Sequence, residues 1–422
     1  MAHDRKLLTF FSLYVAQSVP MSFFTTVIPV VMRQNDFSLR SIGLLQLVRL
    51  PWLVKFLWAP YVDGSAGKRG YKRWIIASEL FYAVMIMCVG LLNLDTDLGL
   101  IVTLVILAVT ASATQDIATD AFAVVLFRGK NKGMVNSMQS MGSFVGTLCG
   151  SGLMLIVYKY VGWSLLLPLL VVFVVVALLP LAGLRTTAVT ASASGSADIM
   201  PTPDAPTVTP SVAETTQAVC RPGQREMFAF FTRPGILRQG TFLLLYYAGI
   251  MGSLSMIKPW MVDMGYDVGQ IGFISGVIGT AMAAASSFVA GLTVKRLGLE
   301  RCRLMFAAIV AAVAVVVWLL SLLGCAGIVA VTASVVAVWC AYGMATIVVL
   351  TAAMEYVRPG LEGTDFTLQT VITQLSGMIM AVMGGYVADR LGYTGLFAVG
   401  AAMGLVNLWY VARFFRKPRM AV

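Results

Sequence analysis

Residues 98–127 read LGLIVTLVILAVTASATQDIATDAFAVVLF. As a helix, a run of this length spans about 45 Å, more than the roughly 30 Å of a bilayer's hydrocarbon core. It reads as a membrane span, yet it carries Asp116 and Asp120 near its middle. A charge at the bilayer centre costs about 2.5–3.5 kcal/mol on insertion scales. The two acids are four residues apart and share one helix face, so that face must meet protein or water rather than lipid.

The rest of the chain agrees with this reading. Of 422 residues, 59% are hydrophobic and 12% charged, whereas soluble proteins carry roughly 25% charged residues. Apolar runs at about 8–32, 41–62, 74–94, 98–127, 134–157, 163–184, 239–262, 270–293, 303–323, 327–357, 365–388 and 393–415 predict twelve transmembrane helices. The fold class is all-α integral membrane, because a span must satisfy its own backbone polar groups. With the N-terminus inside, 23 of the 30 Lys and Arg fall on cytoplasmic segments, four on outer loops and three within spans. That bias predicts both termini in the cytoplasm. It also explains the net charge of +11 without nucleic acid, since the basic residues occupy turns between apolar runs.

The opening MAHDRKLLTFF has a basic start but no small-residue cleavage site, so it reads as a retained first span. Six scattered cysteines and a single histidine, His3, argue against disulfides, a metal site, a cofactor and enzymatic catalysis.

Residues 185–225 are rich in Ser, Thr, Ala and Pro and read as a disordered tether. REMFAFFTRPG, from Arg225, reads as a short interfacial helix ending before Pro234. Three domains are expected: a six-helix bundle over 1–184, a cytoplasmic linker over 185–238 and a second six-helix bundle over 239–422. The bundles repeat. SIGLLQ from Ser41 and QIGFIS from Gln270 are 229 residues apart, and MQSMGSFVGTLCGSG…YVGW from Met138 aligns with LQTVITQLSGMIMAV…RLGY from Leu368 at 230. Parallel six-helix repeats around a midplane site are one plan for a secondary transporter.

Six plus six spans, a long central loop and the basic turn DGSAGKRGYKR from Asp63 resemble the major facilitator superfamily. The resemblance implies a gating motif at Asp63, Gly67, Arg69 and Arg73, with KRLGLERCR from Lys295 as its weaker counterpart. QLVRLPWLVKFLWAPYVD (Gln46–Asp63) and SATQDIATDAF (Ser112–Phe122) resemble the branch that holds AmpG muropeptide permeases, acetyl-CoA transporters and RhtX/FptX siderophore importers. The fifth span, SMQSMGSFVG, lacks the Arg of the muropeptide permeases, and GTDFTLQ (Gly363–Gln369) is similar to the siderophore group.

Arg49 and Lys55 are the candidate partners of the acids. Lys55 lies about 21 Å into its span and Asp116 about 21–27 Å into its own at 1.5 Å per residue. At the repeat offset Arg49, Lys55, Asp116 and Asp120 correspond to Ile278, Ala284, Ala345 and Val349, so the charges belong to the first half. Asp116 and Asp120 are the expected proton-coupling residues. Gln115, Arg49, Lys55, Trp58, Tyr246, Lys258, Trp260 and Gln374 are the expected substrate contacts. Glu79 and Glu355 are expected to pair with loop Arg or Lys. Asp116→Asn is expected to abolish accumulation at normal protein abundance.

The expected function is proton-coupled, alternating-access import of a medium-sized amphipathic solute, a siderophore on the resemblance of GTDFTLQ. A muropeptide permease is the alternative, and a non-transporting membrane sensor the alternative from another class. The expected partners are the small-molecule substrate, protons and the lipid bilayer, for a monomer in a bacterial inner membrane.

Overall fold

The computed structural model describes residues 2–34, 50–92, 97–127, 131–183, 223–324 and 327–415. Every regular element among them is helical. The first bundle comprises α1 (Ala2–Gln34), α2 (Leu50–Val54), α3 (Ala59–Arg69), α4 (Tyr71–Gly90), α5 (Leu98–Leu126), α6 (Asn131–Leu148), α7 (Met154–Ala177) and the short α8 (Leu179–Ala182). After α9 (Gln224–Ala229), the second bundle comprises α10 (Ile236–Tyr246), α11 (Ala248–Asp263), α12 (Val268–Ile271), α13 (Thr280–Leu297), α14 (Leu299–Leu322), α15 (Ile328–Glu355) and α16 (Glu362–Phe414). Nine helices among the described residues are long and apolar enough to cross a membrane.

The 53 residues of α16 would reach about 80 Å if straight, far more than one crossing needs. Gly392, at φ 69° and ψ 177°, folds it into two rods. Gly162 does the same to α7 at φ 70° and ψ −175°. A positive φ is open to glycine at little cost, and these two residues are 230 apart, the offset read from the repeat. Gly70 and Gly298, at φ 76° and 81°, likewise turn the chain into α4 and α14.

Residues 50–62, the end of the span expected over 41–62, are instead broken, and helix continues through Arg69 of the expected basic turn. A 3-10 turn over Lys55–Leu57 separates α2 from α3, and Pro60 sits in the first turn of α3. Proline has no N–H to give the carbonyl four residues back, so a break upstream of Pro60 follows. This break directs Lys55 into the first bundle, where it is 1% exposed. A short helix does follow the expected tether, α9, continued by a 3-10 turn over Phe230–Thr232. Residues 185–222 of the expected linker, together with Arg49, lie outside the described residues.

Each bundle has its own apolar core. Val19, Phe23, Tyr82, Val105 and Leu170 are among the residues of one, and Phe242, Tyr246, Phe306, Ala345 and Val349 of another. The bundles meet where the Lys- and Arg-rich turns gather, on what is called the basic face below. There Phe10, Ile117 and Phe122 share a core with Ala353, Met354 and Phe366.

Candidate functional site

α5 is the axis of the site. Successive helix residues point about 100° apart, so Ile117 and Ala121 face one way and Asp116 and Asp120 another. A side chain at Gly363 of α16 would meet Ile117 at 3.0 Å and Ala121 at 3.4 Å, so that face of α5 looks toward the second bundle. Asp116 and Asp120, each 4% exposed, look into their own bundle.

There each acid has a dedicated set of partners. Lys55 Nζ forms an ion pair and hydrogen bond with Asp116 Oδ2, and Gln17 Nε2 donates to Oδ1 at 2.9 Å. The ammonium also lies 4.8 Å from the centre of the Trp52 ring. Tyr14 donates its hydroxyl to Asp120 Oδ1, and Gln139 Nε2 donates to the same oxygen at 3.3 Å. Tyr14 and Gln17 are three apart on α1, hence on one face. One ion pair thus holds the broken second span to α5, and the remaining donors tie in α1 and α6. A buried ion pair of this kind is weak evidence for stability on its own, but removing one partner strands the other charge.

Sequence reading identified Lys55 and Asp116 but missed Tyr14, Gln17 and Gln139. The missed signal was two polar residues at helical spacing within the apolar first span. Of the other expected contacts, Gln115 is fully buried beside the pair, and neither atom of its amide has a partner. Trp58 donates from Nε1 to Thr114 Oγ1 at 3.0 Å and is half-buried. Gln374 is half-buried and Lys258 exposed on the second bundle.

Tyr246 and Trp260 are not brought to this group. Tyr246 packs at a tilt against Phe242 and donates to the Arg303 carbonyl at 2.9 Å inside the second core. Trp260 packs edge-on against Phe397. A buried phenol or indole settles where its ring packs, and here both rings are in the bundle interior. The expected pairing of Glu79 with a loop cation is also absent, for Glu79 is buried in α4 with neither carboxyl oxygen bonded.

One residue of the expected gating motif, Asp63, bonds across to the second bundle. Asp63 accepts from the N–H groups of Gly363 at 2.9 Å and Thr364 at 2.7 Å, and from the Thr364 hydroxyl at 2.6 Å. Its carboxylate thus caps the N-terminus of α16, where the backbone N–H groups lack helical partners and favour an anion. Tyr71 adds a donor at 2.8 Å. Burial pushes the Asp63 carboxyl up to about 6, while these donors hold it down. Gly67 and Arg69 lie in the last turn of α3, and Arg73 is exposed.

The polar contacts of GTDFTLQ divide between this contact and the second bundle itself. Gly363 and Thr364 bind Asp63, and Asp365 accepts from Arg358 Nη2 at 2.7 Å. Gln369 accepts from Gln239 at 2.9 Å. On the other side of the basic face, α6 and α13 approach closely. A side chain at Gly133 would come within 2.9 Å of Val294 Cβ, and one at Gly291 within 2.7 Å of Ser137 Oγ. Ser137 donates to the Ser287 carbonyl at 2.8 Å, and Asn136 to Thr351 at 3.2 Å. No group of three or more metal-ligating side chains occurs among the described residues.

This architecture recurs in known carriers. A bacterial homologue of the iron transporter ferroportin, in an outward-facing state with soaked iron, superposes with TM-score 0.69 at 14% identity, covering 98% of this chain and 99% of that one. The Escherichia coli fucose:proton symporter gives the same TM-score, identity and coverage. These likenesses concern the fold. In sequence, the chain is 24% identical over 406 residues to the anhydromuropeptide permease of Escherichia coli (strain K12), covering 93% of this chain and 77% of that protein. It is 23% identical over 421 residues to a Haemophilus influenzae protein, covering 93% and 91%. Residues 8–381 match the family model described as Major Facilitator Superfamily. The chain is a multi-pass membrane protein of the Major Facilitator Superfamily, a secondary transporter rather than an enzyme.

Proposed function

We propose that the chain is a proton-coupled importer of anhydromuropeptides or closely related sugar–peptides, working in a bacterial inner membrane. The observation that carries this reading is the 24% identity to an anhydromuropeptide permease across 93% of the chain. The siderophore reading rested on GTDFTLQ, and of those residues Gly363 and Thr364 bind Asp63 while Asp365 and Gln369 bond within the second bundle. Their presence therefore says little about the solute.

In this reading twelve helices cross the membrane as two six-helix bundles, over 1–184 and 239–422, with 185–238 as the cytoplasmic linker. The basic face is cytoplasmic, as the distribution of Lys and Arg favours. The structure then represents a carrier shut toward the cytoplasm. Inward opening requires Asp63 to leave the N-terminus of α16 and α6 to part from α13. A sugar–peptide bears hydroxyls, amides and carboxylates. Trp58, Gln115, Lys258 and Gln374 offer it stacking, amide and cationic partners.

The Asp116–Lys55 pair supplies the coupling. Protonating Asp116 removes the attraction that holds Lys55, and the broken second span can then shift. One proton moving down a 100 mV potential releases about 2.3 kcal/mol, enough for modest accumulation.

The test is uptake into proteoliposomes holding the purified carrier under an imposed proton gradient. Labelled anhydromuropeptide should accumulate and be lost on adding an uncoupler, while a ferric siderophore should stay outside. Siderophore accumulation without muropeptide uptake would overturn the substrate assignment. Muropeptide uptake indifferent to the uncoupler would overturn the coupling.

A further inference from the structure

Glu79 lies within the apolar span Tyr71–Gly90 and is 1% exposed, yet neither of its carboxyl oxygens has a hydrogen-bond partner. The Tyr82 hydroxyl, one turn further along α4, is equally buried and unpartnered. So are both amide atoms of Gln115 on α5, the helix most extensively packed against α4. Buried polar atoms are usually paired, and unpaired ones call for a specific cause such as ordered water or a functional role.

Among the described residues, no countercharge is bonded to Glu79. On α5, Asp116 is held by Lys55 and Gln17, and Asp120 by Tyr14 and Gln139. On α3, Asp63 is held by α16 and Tyr71. The ionisable residues of α7 are Tyr158, Lys159 and Tyr160, at its N-terminal end. On α4 itself Tyr71, Lys72 and Arg73 lie in the first turn, at the basic face. An ionised carboxylate taken from water with neither donor nor cation is too costly to keep, and such a group neutralises instead.

Packing does not require an acid at this place. The glycine turns at Gly70 and Gly298 set an offset of 228 between α4 and α14. The counterpart of Glu79 is therefore Ala307, which is fully buried in the second core. The second bundle makes the same helix contact with a methyl group.

We propose that Glu79 is a second proton-binding residue of the carrier, distinct from the Asp116–Lys55 pair, and holds its proton in the state closed at the basic face. The Tyr82 hydroxyl, three residues along the same helix and hence on the same face, is its polar neighbour. The proposal rests on the proton-coupled reading for its role in transport, but not for the presence of the proton.

The experiment uses the purified full-length carrier in proteoliposomes. Infrared difference spectroscopy across a pH series should show the carbonyl stretch of a neutral carboxylic acid, absent from Glu79→Gln. The glutamine mimics the neutral acid, so this variant should keep counterflow of labelled solute while the pH profile of its driven uptake shifts from that of the wild type. Glu79→Ala, which copies the second bundle, repeats both measurements should the glutamine variant fold poorly. Spectra of the variants that match the wild type, or pH profiles that superimpose, overturn the proposal. If wild-type uptake ignores an uncoupler, the coupling reading fails by itself and the infrared spectra still decide whether Glu79 holds a proton.

Discussion

The two bundles pack equivalent helices with opposite chemistry. In the first, Tyr14 and Gln17 of α1 meet Asp120 and Asp116 of α5. At the repeat offset of 229, the same four positions in the second bundle are Leu243, Tyr246, Val349 and Ala345, all members of one apolar core. Lys55 corresponds to Ala284, which is also buried. An apolar core therefore suffices for this helix geometry, and the ionic one demands an explanation beyond folding. Buried charge within a membrane is costly and marks function by default. In the proton-coupled reading proposed above, the proton chemistry belongs to the first bundle, and the second is its mainly apolar counterpart.

The largest effect should come from stranding one charge. Lys55→Met leaves the Asp116 carboxylate buried with only Gln17, and breaking a buried pair this way costs about 3–5 kcal/mol. Asp116→Asn strands Lys55 to a similar degree, so the normal abundance expected from sequence should not be seen. The double variant Lys55→Met/Asp116→Asn should lose much less than the sum of the two, as read from thermal unfolding in detergent. Additive losses would show that the pair is not coupled and would erase the contrast between the bundles.

In the second bundle, Leu243→Ala removes only apolar packing and should cost about 2–5 kcal/mol. It should leave the pH profile of uptake unchanged. A shifted profile would show that the apolar core also takes part in proton chemistry.

Tyr14→Phe deletes one hydrogen bond to a carboxylate, worth about 1.5–3 kcal/mol, and keeps Gln139 as a donor. It should shift the pH dependence of uptake with modest loss of thermal stability. Leu243→Phe at the equivalent place should not move that dependence.

The smallest effect concerns the closure. The Asp63 carboxyl is pushed up to about 6 in the closed state, whereas an exposed aspartate titrates near about 4. The closed state thus gains on protonation. That gain is fully present below about 4 and is lost as pH rises through about 6. Alkylation of a cysteine placed behind the closure should quicken across that window, and Asp63→Asn should abolish the dependence. A rate that falls as pH rises would reverse the sign.

Much of this was legible in the chain itself. The spacing of Asp116 and Asp120 placed them on one face, and rise per residue put Lys55 at the depth of Asp116. The repeat aligned YVGW with RLGY, the stretches in which Gly162 and Gly392 turn the chain. The direction of the acids was not legible, because periodicity gives a face but not its neighbour. The break at Lys55–Leu57 decides that Lys55 turns inward, and apolar patterning carries no sign of a 3-10 turn. Glu79 lies only six residues from Arg73, and that nearness in sequence suggested a pair. A helix carries those six residues about 9 Å along its axis, which takes Glu79 away from the loop and into the bundle. GTDFTLQ was read by resemblance as a mark of the solute, whereas its polar contacts are with Asp63 of the first bundle and with Arg358 and Gln239 of the second.

The most direct test of a first bundle whose ion pair drives transport is solute accumulation by Lys55→Met/Asp116→Asn in proteoliposomes under a proton gradient. The account predicts a folded carrier that still exchanges labelled solute by counterflow but no longer concentrates it. Accumulation equal to the wild type and still abolished by an uncoupler would contradict it.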